Sequence, residues 1–86
     1  ASIEVTPLYG DMRMIGGAYY LPVAVHNAGD RAASDVRVEA LLADGERAPI
    51  TVAFLDGGET ARATLVFSRN PTEGGLRIDV QSYLEP

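Results

Sequence analysis

The sequence predicts an all-β fold, a small antiparallel β-sandwich of the immunoglobulin-like or fibronectin-type-III-like kind with six to seven strands. Apolar residues alternate with polar residues in several separate segments, and no segment keeps a helical period. Gly and Pro punctuate the chain about every ten residues, which is typical of short strands joined by turns. Two sheets packed face to face bury strands that are each apolar on one side. A small open barrel is the alternative.

The length, net charge and Cys and His content of the chain exclude or disfavour several classes of function. The 86 residues, of which 47% are apolar, predict one globular domain spanning residues 1–86. The net charge of −5 disfavours nucleic acid and anionic membrane surfaces as partners. The chain has no Cys and a single His, so disulfides and Cys-ligated zinc are excluded and a His metal cluster is not expected. We expect no cofactor.

The first strand begins near Ile3 and is stopped or bent at Pro7, because proline removes a backbone donor. Residues 8–15 are ambiguous, with a short edge strand as one interpretation. Residues 19–26 form a clearer strand, whose inward face carries Leu21, Val23 and Val25. Pro22 within it predicts an edge position or a bulge.

Further strands are predicted over residues 35–43, 47–55, 60–68 and 76–83. Asp44–Gly45 predicts a hairpin with a two-residue type I′ turn, which needs a positive φ at both central residues. The Gly pairs 16–17, 57–58 and 74–75 are also interpreted as hairpin turns. The predicted core consists of the alternating apolar residues Val23, Val25, Val38, Phe54, Leu65, Phe67, Ile78 and Val80.

The sequence contains no converging set of catalytic groups. His26 lies on the polar face of its strand, and no Ser occurs in a nucleophile motif. Calcium needs several converging oxygens, whereas the loop acids are scattered singly at Asp30, Asp35, Asp44 and Asp56. We therefore expect a protein that is not an enzyme, with no catalytic residue and no metal site.

Two groups of residues are singled out for other roles. Asn27 and Gly29 form a structural loop motif, with Asn27 in an Asx-turn and Gly29 at a positive φ. The candidate interface consists of the outward apolar residues Leu41, Leu55 and Val66, together with Tyr83. The outward apolar residues either cover the end of a sheet or form a contact patch. The C-terminal strand contains no proline, so its edge is a further candidate for partner contact or self-association.

The run YLPVAVHNAGDRAASDVRVE begins at Tyr20 and contains Val-x-Val-x-Asn-x-Gly followed by Ala-x-x-Val-x-Val. It resembles the bacterial cell-adhesion-related (CARDB-like) sandwich domains. The later runs FLDGGE from Phe54, VFSRNP from Val66 and VQSYLEP from Val80 are similar to a small uncharacterised bacterial family. Members of that family have one N-terminal membrane helix followed by this domain. The resemblance covers the chain from Tyr19 onward.

The resemblance implies a membrane-anchored protein with this domain outside the cytoplasm, held by an N-terminal helix that is absent from this chain. It also implies a protein partner, because the family's gene is paired with one for a multi-span integral membrane protein. It transfers no catalytic or binding residue. The expected function is a non-enzymatic protein-interaction or structural module displayed at the membrane surface. The alternative is a small-ligand binding module, for example for carbohydrate, which would use the Tyr side chains.

Overall fold

The computed structural model describes residues 1–73 and 75–86. Over these residues the chain forms seven strands and one 3-10 turn, Tyr9–Asp11, with no longer helix. The strands are β1 (Ile3–Pro7), β2 (Arg13–Ile15), β3 (Ala18–Asn27), β4 (Ala33–Leu41), β5 (Arg47–Leu55), β6 (Thr60–Phe67) and β7 (Arg77–Leu84). Nowhere in this part of the chain does a helix have the length and apolar character needed to cross a membrane.

The strands form two antiparallel sheets, which confirms the predicted all-β sandwich. Sheet A has β3 at its centre, with β6 along one edge and β1 followed by β2 along the other. Sheet B has β4 at its centre, between β5 and β7. The short edge strand expected within residues 8–15 is β2.

The core lies between the sheets and follows the predicted alternation where the strands are regular. On β3 and β6 the inward residues Leu21, Val23, Val25, Leu65 and Phe67 are fully buried, and so is Val38 on β4. Burial of a side chain of this size stabilises the fold by roughly 1.5–3 kcal/mol. These core predictions are confirmed.

Strands β4 and β5 lose the alternation at one point. Their register pairs Val36 with Val52 and Ser34 with Phe54, but no pair is formed by Asp35 between them. Asp35 has a φ of +50°, the only positive value among the non-glycine residues that the structure describes. An L-residue in this left-handed conformation breaks the pleat and turns the following side chains over.

The break in the pleat overturns two predictions. On β4 the buried residue next to Val36 is Ala33, and on β5 the buried residue next to Val52 is Leu55. Each lies three positions away, whereas a regular strand would place the next buried residue two positions away. Phe54, predicted in the core, is 51% exposed on the outer face of sheet B. Leu55, predicted in the candidate interface, is fully buried. Both residues are one position out of phase with the simple alternation.

The predicted core position of Val80 is also wrong. Val80 and Ile78 lie opposite the buried residues Val38 and Ala40, and so belong to the inner face of β7. Ile78 is half-buried against the core, but Val80 counts among the exposed apolar residues. The reason is that β7 is an edge strand that barely meets β1 of the other sheet, whereas the edge strand β5 lies against β6.

Three Gly pairs were predicted to form hairpin turns, and they differ in outcome. Gly16–Gly17 forms a two-residue hairpin between the paired residues Ile15 and Ala18, with φ values of +58° and +83°. Gly57–Gly58 is not a hairpin, because it carries the chain from β5 in sheet B to β6 in sheet A. The pair 74–75 includes Gly74, which lies outside the described residues.

The hairpin at Asp44–Gly45 is present, but its turn type differs from the prediction. Gly45 has a φ of +96° and Asp44 is not among the positive-φ residues. The Gly45 amide donates to the Leu42 carbonyl at 2.9 Å, and the Leu42 amide donates to the Glu46 carbonyl at 2.9 Å. This is the pattern of a three-residue loop with one left-handed glycine, and it is favoured because only one residue then needs a positive φ.

Pro22 lies in the central strand of sheet A, so the predicted edge position is wrong. The predicted bulge is wrong as well, because the register of β3 with β6 runs through Pro22 and Thr64 without a shift. Pro22 is instead accommodated by a gap between β1 and β2 on the other side of β3. Opposite Pro22 the neighbouring chain leaves the sheet through the 3-10 turn Tyr9–Asp11. The Pro22 carbonyl accepts a hydrogen bond from the Leu8 amide at 2.9 Å. The Leu8 carbonyl, to which proline cannot donate, accepts one from the Asp11 amide at 3.0 Å instead.

Candidate interaction surfaces

Asn27, at the end of β3, is a fully buried polar residue whose side chain joins separate parts of the backbone. Its Oδ1 accepts hydrogen bonds from the amides of Ser2 at 3.2 Å and Gly29 at 3.0 Å. Its Nδ2 donates to the carbonyls of Arg31 at 2.7 Å and Leu55 at 3.2 Å. The bond from Gly29 closes the expected Asx-turn. All four bonds go to backbone, so this side chain has no group left for a ligand.

Position 29 requires glycine because of a close backbone contact, and not because of the expected positive φ. Gly29 is not among the positive-φ glycines of the described chain, so the expected positive φ is wrong. A Cβ on Gly29 would lie 2.9 Å from the Cα of Ala1 and 3.0 Å from the nitrogen of Ser2. The missing side chain lets the N-terminal segment pass directly over the loop, where the Ala28 amide donates to the Ser2 carbonyl at 2.7 Å.

The four residues of the predicted interface do not come together. Leu41 is half-buried on the outer face of sheet B, while Val66 is exposed on the outer face of sheet A. Tyr83 is partly exposed on β7, and its hydroxyl donates to the Ala1 carbonyl at 3.1 Å. With Leu55 buried, the predicted set does not define one surface.

A continuous apolar surface does form on the outer face of sheet A, around Tyr20. Tyr20 lies in register between Arg13 of β2 and Val66 of β6. Ile15 is 59% exposed and Val66 is 46% exposed, and Tyr20 and Pro22 are half-buried beside them. We call the surface formed by Ile15, Tyr20, Pro22 and Val66 the Tyr20 face.

Charged and polar side chains border the Tyr20 face. Arg62 reaches across sheet A to form an ion pair with Asp11 at 3.0 Å. With Arg13, Thr64 and Ile15 this pair surrounds a shallow cleft of about 480 Å³ over Tyr20 and Pro22. Within the described part of the chain Arg13 forms no ion pair, so its guanidinium is available to a carboxylate brought in from outside.

The outer face of sheet B has a different character. Phe54 and Leu84 both flank Ser34 in register and are both exposed, so they form a small apolar corner. The remainder of the face is dominated by the ion pairs Arg37–Asp35, Arg47–Glu39 and Arg77–Asp79. This face therefore offers mostly solvated charge to a partner.

The single His and the carboxylate of Glu85 are the titratable groups with contacts of note outside the surfaces described above. The His26 Nδ1 and Thr60 Oγ1 share a hydrogen bond of 2.8 Å on the outer face of sheet A. No cluster of three or more His, Asp or Glu that could hold a metal occurs among residues 1–73 and 75–86. The pKa of Glu85 is lowered, because the Ala1 ammonium donates a hydrogen bond to its carboxylate and adds positive charge beside it.

Sequence reasoning found Val66 but missed the rest of the Tyr20 face. The signal was an aromatic residue and a proline, Tyr20 and Pro22, alternating on the side of β3 opposite to its buried residues. Their neighbours come from β2 and β6, and the pairing of those strands with β3 is a tertiary property. The chain matches no protein-family model, no curated protein and no solved structure.

Proposed function

We propose that this chain is a non-enzymatic protein-interaction module displayed at the membrane surface, and that an integral membrane protein docks on its Tyr20 face. The observation that carries the proposal is the exposure of Ile15 on β2 and of Val66 on β6, the two strands that flank Tyr20. Exposed apolar side chains that cluster on one face, instead of being scattered, are typical of a contact surface.

The composition of the Tyr20 face fits a protein interface. Interfaces have an apolar centre and a polar rim, and Tyr and Arg are enriched among the residues that contribute most to binding. Tyr20 supplies a rigid aromatic ring, and Arg13 and the Arg62–Asp11 pair supply the rim. We expect the partner to present an apolar side chain to Tyr20 and a carboxylate to Arg13.

Display at the membrane surface rests on the resemblance of the runs FLDGGE, VFSRNP and VQSYLEP to a family whose members have one N-terminal membrane helix. An anchor preceding Ala1 would hold the Asn27 end of β3 toward the bilayer, because Ser2 is bonded to Asn27. Tyr20 lies seven positions from Asn27 along β3, which is about 24 Å at ~3.4 Å per residue. The Tyr20 face would then meet a part of the partner that projects from the bilayer.

The proposal is tested with the full-length protein in its own membranes. A photo-crosslinking amino acid is placed at Val66, and in a matched protein at Phe54, which is equally exposed on the other sheet. We expect position 66, and not position 54, to crosslink to an integral membrane protein. Val66→Glu should lower co-purification of that protein by about tenfold, since a charge in an apolar contact costs more than 1.4 kcal/mol.

The matched substitution Phe54→Glu should leave co-purification unchanged. Equal crosslinking from both positions, or full recovery of the partner with Val66→Glu, would show that the Tyr20 face is not the docking surface. Thermal denaturation of each variant separates loss of binding from loss of folding.

A second candidate function, binding of a small ligand such as a carbohydrate, is favoured by the cleft over Tyr20. The ring can stack on a sugar face, and Thr64 and the Arg side chains can bond hydroxyl groups. Addition of mono- and oligosaccharides at millimolar concentration should then shift the backbone amide resonances of Tyr20 and Thr64. Absence of any shift, or shifts that persist in Tyr20→Ala, would exclude this function.

A further inference from the structure

Strand β7 has no hydrogen-bonded neighbour along one edge, and the side chain of Val80 is exposed there. Sheet B is flanked by two edge strands, β5 and β7, and each contributes a valine opposite a buried valine of β4. Val52 of β5 lies opposite Val36 and is 9% exposed, whereas Val80 of β7 lies opposite Val38 and is 36% exposed. A valine on the inner face of sheet B is therefore buried at the β5 edge and exposed to solvent at the β7 edge.

The difference in exposure between Val52 and Val80 arises because the edges of the two sheets pack together at one side of the sandwich and not at the other. At one side β5 and β6 lie against each other, while at the other side β1 and β7 barely meet. The inner-face residues Leu76, Ile78 and Val80 consequently border an open side of the core.

Edge strands are usually protected against pairing with another chain, often by proline or by very short length. Here β1 ends in Pro7, β2 has three residues and β5 contains Pro49. β7 contains no proline and has eight residues. The remaining edge strand, β6, also has eight residues and no proline, but it lies against β5 of the other sheet. Of the five edge strands, β7 is therefore the one that has neither such protection nor close packing against an edge strand of the other sheet.

We propose that a second copy of this chain occupies the β7 edge, through antiparallel pairing of residues 76–80 with the same residues of the other copy. This segment reads apolar, basic, apolar, acidic, apolar. Pairing centred on Ile78 places Ile78 opposite Ile78, Leu76 opposite Val80 and Arg77 opposite Asp79. The segment is thus complementary to itself in both charge and hydrophobicity, and the contact closes as a two-fold dimer.

The surroundings of this segment are suited to such a contact. The side chain of Arg77 is 74% exposed and that of Asp79 is 47% exposed, and among the described residues they form an ion pair with each other at 3.5 Å. The register with β4 shifts beyond Val80, so residues 77–80 are the regular part of β7. Pairing would extend sheet B into a continuous six-stranded sheet and would cover Val80 with Leu76 of the second copy. The β7 edge and the Tyr20 face lie on different sheets, so this inference stands without the proposed function.

Charge reversal tests the pairing and its register together. In the dimer, position 77 of each copy faces position 79 of the other. Arg77→Asp therefore places two acidic side chains opposite each other at both contacts, and Asp79→Arg places two basic side chains opposite each other. We expect each variant alone to dimerise about tenfold or more weakly than the wild type. An equimolar mixture of the two should recover a heterodimer, because each Asp then meets an Arg. The double variant Arg77→Asp/Asp79→Arg should recover the homodimer.

Sedimentation equilibrium of the 86-residue chain measures the effect, with a monomer mass of 9.1 kDa. Salt at about 0.15 M limits repulsion between two chains of net charge −5. The matched control is Arg37→Asp, since Arg37 is an exposed member of a similar ion pair on sheet B. It should dimerise like the wild type, and circular dichroism should show that every variant keeps its fold.

A wild-type chain that stays monomeric up to millimolar concentration would overturn the proposal and leave the β7 edge to a strand of another protein. A dimer that survives both single reversals, or single variants whose mixture fails to associate, would overturn it as well.

Discussion

The side-chain nitrogen of Asn27 donates a 3.2 Å hydrogen bond to the carbonyl oxygen of Leu55, which joins the ends of β3 and β5 and thereby the two sheets. The backbone of Asn27 adds to this junction, because its amide donates to the Glu59 carbonyl and its carbonyl accepts from the Gly58 amide. One residue therefore fixes the distance between the sheets at this end of the sandwich.

Asn27→Ala should lower the free energy of unfolding by about 3 kcal/mol, because it leaves several buried backbone groups without a partner. Urea denaturation measures the change. The matched control is Asn70→Ala, whose Oδ1 accepts bonds from Thr72 within an exposed turn. That control should cost less than about 1 kcal/mol. Equal losses in the two variants would contradict the role assigned to Asn27.

Because of the break in the pleat at Asp35, the two phenylalanines differ in burial. Phe67 is fully buried and Phe54 is half-exposed. Phe67→Ala should therefore cost about 3–5 kcal/mol, and Phe54→Ala less than about 1 kcal/mol. Thermal melts of both variants check this. A loss at Phe54 as large as that at Phe67 would mean that β5 keeps a simple alternation.

Gly29→Ala should destabilise the fold by about 1–3 kcal/mol, since its Cβ would overlap the backbone of Ala1 and Ser2. We also expect the amide resonances of the N-terminal segment to shift, because that segment must move. Gly10→Ala is the matched control, because a Cβ there meets no atom within 4 Å. A Gly29→Ala protein with wild-type stability and unshifted N-terminal resonances would show that the close approach does not constrain the loop.

The ion pair between the Ala1 ammonium and Glu85 should be visible in a carboxyl NMR titration of the 86-residue chain. The pKa of Glu85 is lowered from its ordinary value of 4.5, so the folded state binds this proton less readily than the unfolded state. The contribution to stability is thus present above the unfolded pKa and is lost as the pH falls through the folded pKa. Acetylation of the Ala1 amine should raise the titration midpoint of Glu85; an unchanged midpoint would contradict the pairing.

Alternation predicted the inward residues of β3 and β6 from the sequence because these strands are regular, with one face on the core and the other toward solvent. It could not place Phe54 and Leu55 on β5, because their phase is set by a left-handed residue, Asp35, on a neighbouring strand. Nor could it predict the exposure of Val80, which depends on what lies beyond β7.

The candidate site shows the same limit. Val66 could be predicted as an outward residue from its own strand, but its neighbour Tyr20 is 46 positions earlier in the chain (66 − 20). Which outward residues share a surface is decided by strand pairing, and sequence periodicity within one strand carries no information about that pairing.

The Asn27 junction has a consequence for folding rates. Its side chain bonds backbone groups 25 positions earlier, at Ser2, and 28 positions later, at Leu55. Two long segments of chain must therefore be ordered before these bonds can close, so we expect them to form after the transition state for folding. Interactions that form late slow unfolding without speeding folding. Asn27 should accordingly determine how long each folded molecule persists, while the rate of its formation depends on the regular strands β3 and β6.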